Sequence, residues 1–364
     1  MNRKTNPWLL ILLTAPIPVV LFSFLLLKWY RQSDEFARLT SQFVQRQNSV
    51  LAYDAGEVST GVSDLLEKSA RDVEILSLLP HDPKRYLQFH QLQMSDFTQF
   101  TSKADVPIQE PLNFYNKILY MTLSGEFSIF VDRGQLAPTP KNLAACRTKD
   151  LCDHDLLERA LHLSVGQLEY GHLMRYYSPQ SVPEDANNAS WGIAYHGKDG
   201  IYFLGLDYRH LRDHMTTPSF PYDSKRDLMQ SYQNGNYIYL VDADYNIFVH
   251  PKYWNSYGLD RATGLAVPSM KTDADEGKVF INIANYQSGR LKEYFNRLLT
   301  RSFVQKGVDI FQASNLVGTT RVLSVTPILL SKGQFKRTGV FGYVIVGCSI
   351  DYFEEPKEKM IPYY

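Results

Sequence analysis

The sequence predicts an α+β protein: a long N-terminal helix followed by two antiparallel sheets, each flanked by helices. Three observations predict it. From Arg31 to Leu79 there is no proline, and apolar residues recur at three- and four-residue steps, the spacing of one helix face. Beyond Pro111 the period changes to two, as in half-buried strands. A strand–turn–strand order then occurs in both halves, which finish alike, "IYFLGLDYRHL" beside "YVIVGCSIDYF". Likeness over so long a spacing means duplicated domains, not a solenoid.

Bulk numbers set the frame. A chain of 364 residues suits about two to three units of ordinary size. With 44% hydrophobic and 21% charged residues it can bury sizeable cores and is not a disordered chain. The 38 basic residues balance 38 acidic ones, which leaves no electrostatic footprint for nucleic acid.

The first element is apolar. "WLLILLTAPIPVVLFSFLLLKW" carries no charge from Trp8 to Leu27, about 20 residues, the length needed to cross the hydrocarbon core. Lys28, Trp29 and Tyr30 follow it, a poor signal-peptidase site. Pro16 and Pro18 would kink such a helix, which membrane helices tolerate. Arg3 and Lys4 precede it, so the charge bias puts the N-terminus in the cytoplasm and translocates the remainder. The reading is therefore a cytoplasmic segment 1–7 and a transmembrane helix 8–28.

A stalk helix over 29–80 follows. Phe36, Leu39 and Phe43 open its stripe, Val58, Val62, Leu65, Val73 and Leu76 continue it, and Pro80 ends it. Such a stripe is either a packing face or a dimer seam. From Pro83 to about Pro111 the chain reads as helical and aromatic, "RYLQFHQLQMSDFTQF". Next comes "ILYMTLSGEFSIFVDRG", strand, Ser-Gly turn, strand. Cys146 and Cys152 flank a short loop; they form a disulfide in an extracytoplasmic domain or remain loop thiols. A short helix, "DLLERALHLSV", leads to "HLMRYYSPQ". Two strands then flank Gly197-Lys198-Asp199-Gly200 as a hairpin, and a helix begins near Arg209. In the second half, "NYIYLVDADYNIFVHP" and "RVLSVTPILLSKGQFKRTGVFGYVIVGCSIDYF" repeat the pattern.

This order, with the motifs "YLVDADYNIFVHP", "SGEFSIF", "GIYFLGLDYRHL" and "VTPILL…GVFGYVIVGCSIDYF", resembles the double Cache family, tandem PAS-like sensor domains of bacterial sensor histidine kinases and chemoreceptors. Trp254 to Arg261, with Val267-Pro268, is similar to the versions carried by sensor kinases. The resemblance covers about Arg31 to Phe353. It implies a membrane-distal Cache domain over 81–218, a membrane-proximal one over 219–355 and a juxtamembrane tail over 356–364. Together with the lone apolar span it gives the expectation of a single-pass protein of the inner membrane whose bulk is periplasmic or extracellular. Two departures stand out. The family's receptors continue into a second transmembrane helix and an output module, whereas this sequence ends at "FEEPKEKMIPYY". The amino-acid binders carry Arg-x-Trp-Tyr, whereas here Arg175-Tyr176-Tyr177 stands and Trp191 is separate.

Enzyme chemistry is not expected. Asp242, Asp244 and His250 are spread over a turn and a whole strand, where Asp bonds its own backbone, so a structural role outweighs a pocket or metal role. His210 and His214 have i, i+4 spacing, but Leu211, Arg212 and Asp213 between them make no His-Glu-x-x-His motif. No P-loop, Gly-x-Gly-x-x-Gly or Gly-x-Ser-x-Gly occurs. No catalytic residue, metal or cofactor is assigned.

The resemblance implies a small organic ligand in the distal domain, between the sheet and its covering helices. Candidates are Tyr120, Arg175, Tyr177, Trp191, Tyr195 and Asp207. Arg175 could grip a carboxylate bidentately. Asp207 could accept a ligand amine or cap the following helix, and each aromatic competes with plain core packing. The expected function is sensing, relayed through the stalk helix, a partner membrane protein or a homodimer. The alternatives are a non-catalytic assembly protein of an envelope complex, or the sensor half of a receptor kinase or diguanylate cyclase.

Overall fold

A computed structural model describes residues 16–100, 107–148, 152–175, 189–213, 237–249, 309–314 and 320–349. The part of the proposed span before Pro16, Tyr177, His214, His250, Trp254 to Arg261, the boundary between 218 and 219 and the 356–364 tail lie outside these residues. Among the described residues no helix is long and apolar enough to cross a membrane. Val50–Ile350 form one compact unit, and Pro16–Ser49 belong to a second. In the latter, the described residues are helical, with Leu27, Trp29 and Tyr30 exposed.

The first helix, α1, runs Pro16–Leu76. Inside the compact unit its stripe, Val58, Val62, Leu65, Val73 and Leu76, is buried by this chain alone. It is thus a packing face, each fully buried side chain contributing about 1.5–3 kcal/mol. α2, Pro83–Leu92, starts where Asp82 accepts the Lys84 N–H at 3.0 Å and Pro83 takes the first turn. The helix expected to continue towards Pro111 does not. β1, Met94–Phe100, pairs antiparallel with β2, Pro107–Asn113. Ser95, Asp96 and Thr98 are weak helix formers, and a partner strand satisfies the backbone that they leave.

β3 (Tyr115–Thr122), β4 (Phe127–Asp132) and the short β5 (Gln135–Leu136) are followed by α3 (Leu143–Thr148) and α4 (His154–Leu161). β6 (Leu168–Arg175), β7 (Ala189–His196), β8 (Gly200–Asp207) and α5 (Tyr208–Asp213) complete the first half. The second half holds β9 (Tyr237–Asp242), β10 (Ile247–Val249), β11 (Asp309–Ser314), β12 (Thr320–Leu329) and β13 (Val340–Ser349). The six-stranded sheet is ordered β5-β4-β3-β8-β7-β6, and the five-stranded sheet β10-β9-β13-β12-β11. With the edge piece β5 set aside, both orders are second, first, fifth, fourth, third along the chain, and their described pairs are antiparallel. The two halves thus share one topology, as their matching endings suggested.

Alternation divides the six-stranded sheet. One face presents Leu119, Phe130, Ala194 and Phe203 to α3 and α4, packed with Leu156, Leu157 and Met121. Cys146 and Cys152 are bonded in this core, their Cα atoms 5.8 Å apart. Gly192 lets α4 come down, since a Cβ there would stand 3.0 Å from Leu156 Cδ2 and 2.8 Å from Phe203 Cε2. The opposite face carries Tyr120, Tyr170, Trp191, Tyr195 and Tyr202, the last three related through the β6–β7–β8 register. From it the Tyr170 hydroxyl donates to the Leu66 carbonyl of α1 at 3.1 Å.

Candidate functional site

Five of the six candidate residues are described, and they fall into two groups. Tyr120 and Tyr195 both pair with Tyr202, making a row across β3, β8 and β7. Arg175 opposes Ala189, Ser190 opposes Asp207 and Trp191 opposes Leu206, so these lie towards the other end of the strands. Leu168 opposes Tyr195, and at about 3.3 Å per residue the ends of β6 stand roughly 20 Å apart. The described candidates therefore stand towards two ends of the strands. The side chain of Arg175 and all of Tyr177 lie outside what is described.

At the Trp191 end the work is structural. Its indole meets Phe248 and Phe341 at centroid distances of 5.0 and 4.8 Å, packing the two sheets together. Asp207, buried, accepts the Arg209 N–H at 2.9 Å and holds the Arg209 guanidinium at 3.0 and 2.8 Å. That is the capping role, with a cation bound within the chain.

At the Tyr120 end several polar groups converge. His81, just past the Pro80 stop, stacks on Tyr120 at 3.9 Å. Its Nε2 lies 2.8 Å from the Tyr202 hydroxyl and 3.2 Å from Asp199 Oδ2. Tyr202 donates to Asp199 Oδ1 at 2.5 Å, and Tyr120 donates to the Asp199 carbonyl at 3.1 Å. The Gly-Lys-Asp-Gly hairpin makes this possible. A Cβ at Gly200 would stand 2.6 Å from Tyr120 Cε2, and one at Gly197 would stand 2.5 Å from Tyr202 Cε2, so only glycine leaves room for both rings. The Tyr86 hydroxyl of α2 is buried with no hydrogen-bond partner among the described residues. Burial first, then Tyr120 and Asp199, hold its pKa far above the ordinary phenol value. Burial, followed by the Asp199 hydrogen bond, does the same to Tyr202. These phenols stay neutral, and beside them stands the Asp199 carboxylate, its side chain 55% exposed. A carboxylate among aromatic rings suits an ammonium group.

His81, Tyr86, Asp199 and Tyr202 were not singled out in the sequence. The signals present were a polar residue just beyond a helix stop and an aspartate in a glycine-bounded turn.

The other acidic stretch is spent on its own turn. Asp242 Oδ1 accepts the Asp244 N–H at 2.9 Å, the Asn246 N–H at 2.9 Å and Asn246 Nδ2 at 3.2 Å, while Oδ2 accepts Asn246 Nδ2 at 3.0 Å. This clasp holds Tyr245 at a φ of 70°, a left-handed geometry that few side chains adopt. His172, Asp242 and Asp244 bring ligand atoms within 4.8 Å of one another, but the buried Asp242 is committed to the turn. Among the described residues that group holds these three alone, and His172 and Asp244 are exposed.

No family model matches the chain and no curated protein matches it. Solved structures do. The ligand-binding domain of the Campylobacter jejuni chemoreceptor Tlp3, in complex with L-valine, has a TM-score of 0.46 at 8% identity, over 86% of this chain and 97% of that one. The extracellular domain of the histidine kinase soHK1S-Z6 has a TM-score of 0.44 at 11% identity, over 86% and 98%. The ligand-binding domain of the Pseudomonas aeruginosa chemoreceptor PctC, in complex with GABA, has a TM-score of 0.40 at 12% identity, over 83% and 98%. The chain is thus similar in fold to two ligand-binding domains of chemoreceptors and to one extracellular domain of a histidine kinase.

Proposed function

We propose that this chain is the extracytoplasmic sensor of a single-pass membrane receptor, binding a small organic amine in the six-stranded module and passing its occupancy to the stalk helix. One observation carries the reading: α1 is hydrogen-bonded to both sheets within a few turns. Tyr170 of the six-stranded sheet donates to Leu66 O at 3.1 Å and Tyr115 to Asp72 Oδ2 at 2.6 Å. From α1, Ser59 donates to Pro327 O of the five-stranded sheet at 2.7 Å, and Ser63 donates to Leu329 O. A displacement of either sheet therefore reaches the helix through directional bonds. The Cys146–Cys152 disulfide in the core supports an oxidising, extracytoplasmic setting.

We place the ligand where Asp199 and His81 adjoin the Tyr120 row, the carboxylate receiving the ammonium group. The full chain in detergent is screened by thermal shift against amines, amino acids and organic acids. An amine is expected to raise the melting temperature, because a ligand of the native state must stabilise it, and Asp199→Asn is expected to abolish that shift. No stabilisation by any compound of the three classes, in a well-folded sample, sinks the reading.

One observation favours a second reading, an envelope assembly protein that has kept the scaffold. The sheet face beneath α3 and α4 is filled by the chain's own Leu119, Phe130, Phe203, Leu156 and Leu157. A chain silent in the ligand screen but crosslinked in cells to a defined membrane partner would establish it.

A further inference from the structure

β6 is the outer strand of the six-stranded sheet, and such an edge presents backbone donors and acceptors with no neighbouring strand. At Tyr170 one side chain occupies both. The Tyr170 N–H donates to Gln334 Oε1 at 3.0 Å, and Gln334 Nε2 donates to the Tyr170 carbonyl at 2.7 Å. The carboxamide makes the two-point pair that another strand would make. Gln334 belongs to the single 3-10 turn Gly333–Lys336 between β12 and β13 of the other sheet. Gly333, at a φ of 54°, brings that turn down onto β6: an added Cβ would stand 3.0 Å from the Leu168 carbonyl oxygen. Phe335 and Phe341 flank the Tyr170 ring at 5.9 and 6.4 Å. The same tyrosine holds Leu66 of α1 through its hydroxyl. One residue of an edge strand is thus tied to the second sheet by its backbone and to the long helix by its side chain.

We propose that the Gln334–Tyr170 clasp is the hydrogen-bonded coupling between the two sheets: closed, it makes them move and unfold as one body; open, it leaves only the Trp191 seam and α1 to hold them. What would drive it rests on the sensor reading above, but the coupling itself needs no ligand to be observed.

The test uses the full chain in detergent, with calorimetry and amide hydrogen exchange on wild type, Gln334→Ala and Gln334→Glu. Wild type is expected to unfold in one transition. Gln334→Ala is expected to split that transition in two and to speed exchange at the Tyr170 amide about tenfold. Gln334→Glu keeps an acceptor for the Tyr170 N–H but offers no donor to its carbonyl, so it is expected to restore protection at that amide without rejoining the transitions. A Gln334→Ala chain that still unfolds in one transition, merely at lower temperature, overturns the proposal, as does a wild type already showing two. A chain that binds nothing in the ligand screen would still show the split, so the two readings fail separately.

Discussion

The two faces of the six-stranded sheet come from the same strands and do opposite work. Beneath α3 and α4 the side chains are apolar and the cover is bolted by a disulfide. Towards α1 and the second sheet tyrosines and Trp191 stand among Ile118, Ile193, Leu204 and Leu206, with hydroxyls reaching Leu66, Asp199 and Asp72. Alternation lets one strand serve both: Ala194 faces the sealed side, while Trp191 and Tyr195 face the other. The contrast teaches that both surfaces stabilise the fold, but the hydroxyl bonds to the rest of the molecule are kept to one of them. A dry core has no directional bonds to retune, whereas a phenol can shift between partners.

Three experiments can break or sharpen that contrast, beginning with the largest effect. Trp191→Ala should empty the seam between the sheets and cost about 3–5 kcal/mol, read by denaturant unfolding. A loss well below that range would mean that Phe248 and Phe341 close the gap and that the seam is loose. Replacing Cys146 and Cys152 together by alanine should cost about 2 kcal/mol, as expected for so short a covalent loop. Exchange at the β12 and β13 amides should stay unchanged in the native state; if it rises, the sealed face is not separate.

The smallest effect is a pH dependence at Asp153, the cap of α4. Its Oδ1 accepts the Leu156 N–H at 3.0 Å, and Oδ2 is buried without a hydrogen-bond partner among the described residues. Burial raises the pKa of this carboxyl, against the lowering effects of the Leu156 N–H and Arg159. A raised native pKa means that the folded chain binds more protons than the unfolded one in the window above the ordinary carboxylate value. Asp153 therefore disfavours the fold once ionised, and wild-type stability from this source rises as pH falls through its raised pKa towards about 3.9. Asp153→Asn keeps a capping oxygen and removes the titration. Its stability relative to wild type should be most favourable near neutrality and shrink on acidification. A difference flat with pH would mean that the carboxyl is not desolvated.

The parts of this architecture set by local patterns could be read in advance. Val58, Val62 and Leu65 announced a buried helix face through spacing alone, and Gly197 and Gly200 announced a hairpin. Asp207 before Tyr208-Arg209 announced a cap, though its ion pair with Arg209 was not visible. What escaped depends on segments far apart in the chain. The β1–β2 ribbon took over a stretch whose apolar residues also fit a helix, because pairing partners leave no trace in periodicity. His81, Tyr86 and Asp199 sit on three different elements, and no one segment shows that they meet. Gln334 was hidden for the same reason: it lies 164 residues from the strand that it completes.

The order of the five-stranded sheet has a consequence for biogenesis. β13, the last strand described, is inserted between β9 and β12, so that sheet cannot close until β13 itself has left the ribosome or translocon. Until then the α1 residues that it anchors, Ser59 and Ser63, and the apolar stripe beside them have no partner on that side. A nascent chain of this kind carries a sticky rod from the emergence of α1 to that of β13. Its yield in the cell should therefore depend on a holding chaperone more than on the stability of the finished fold.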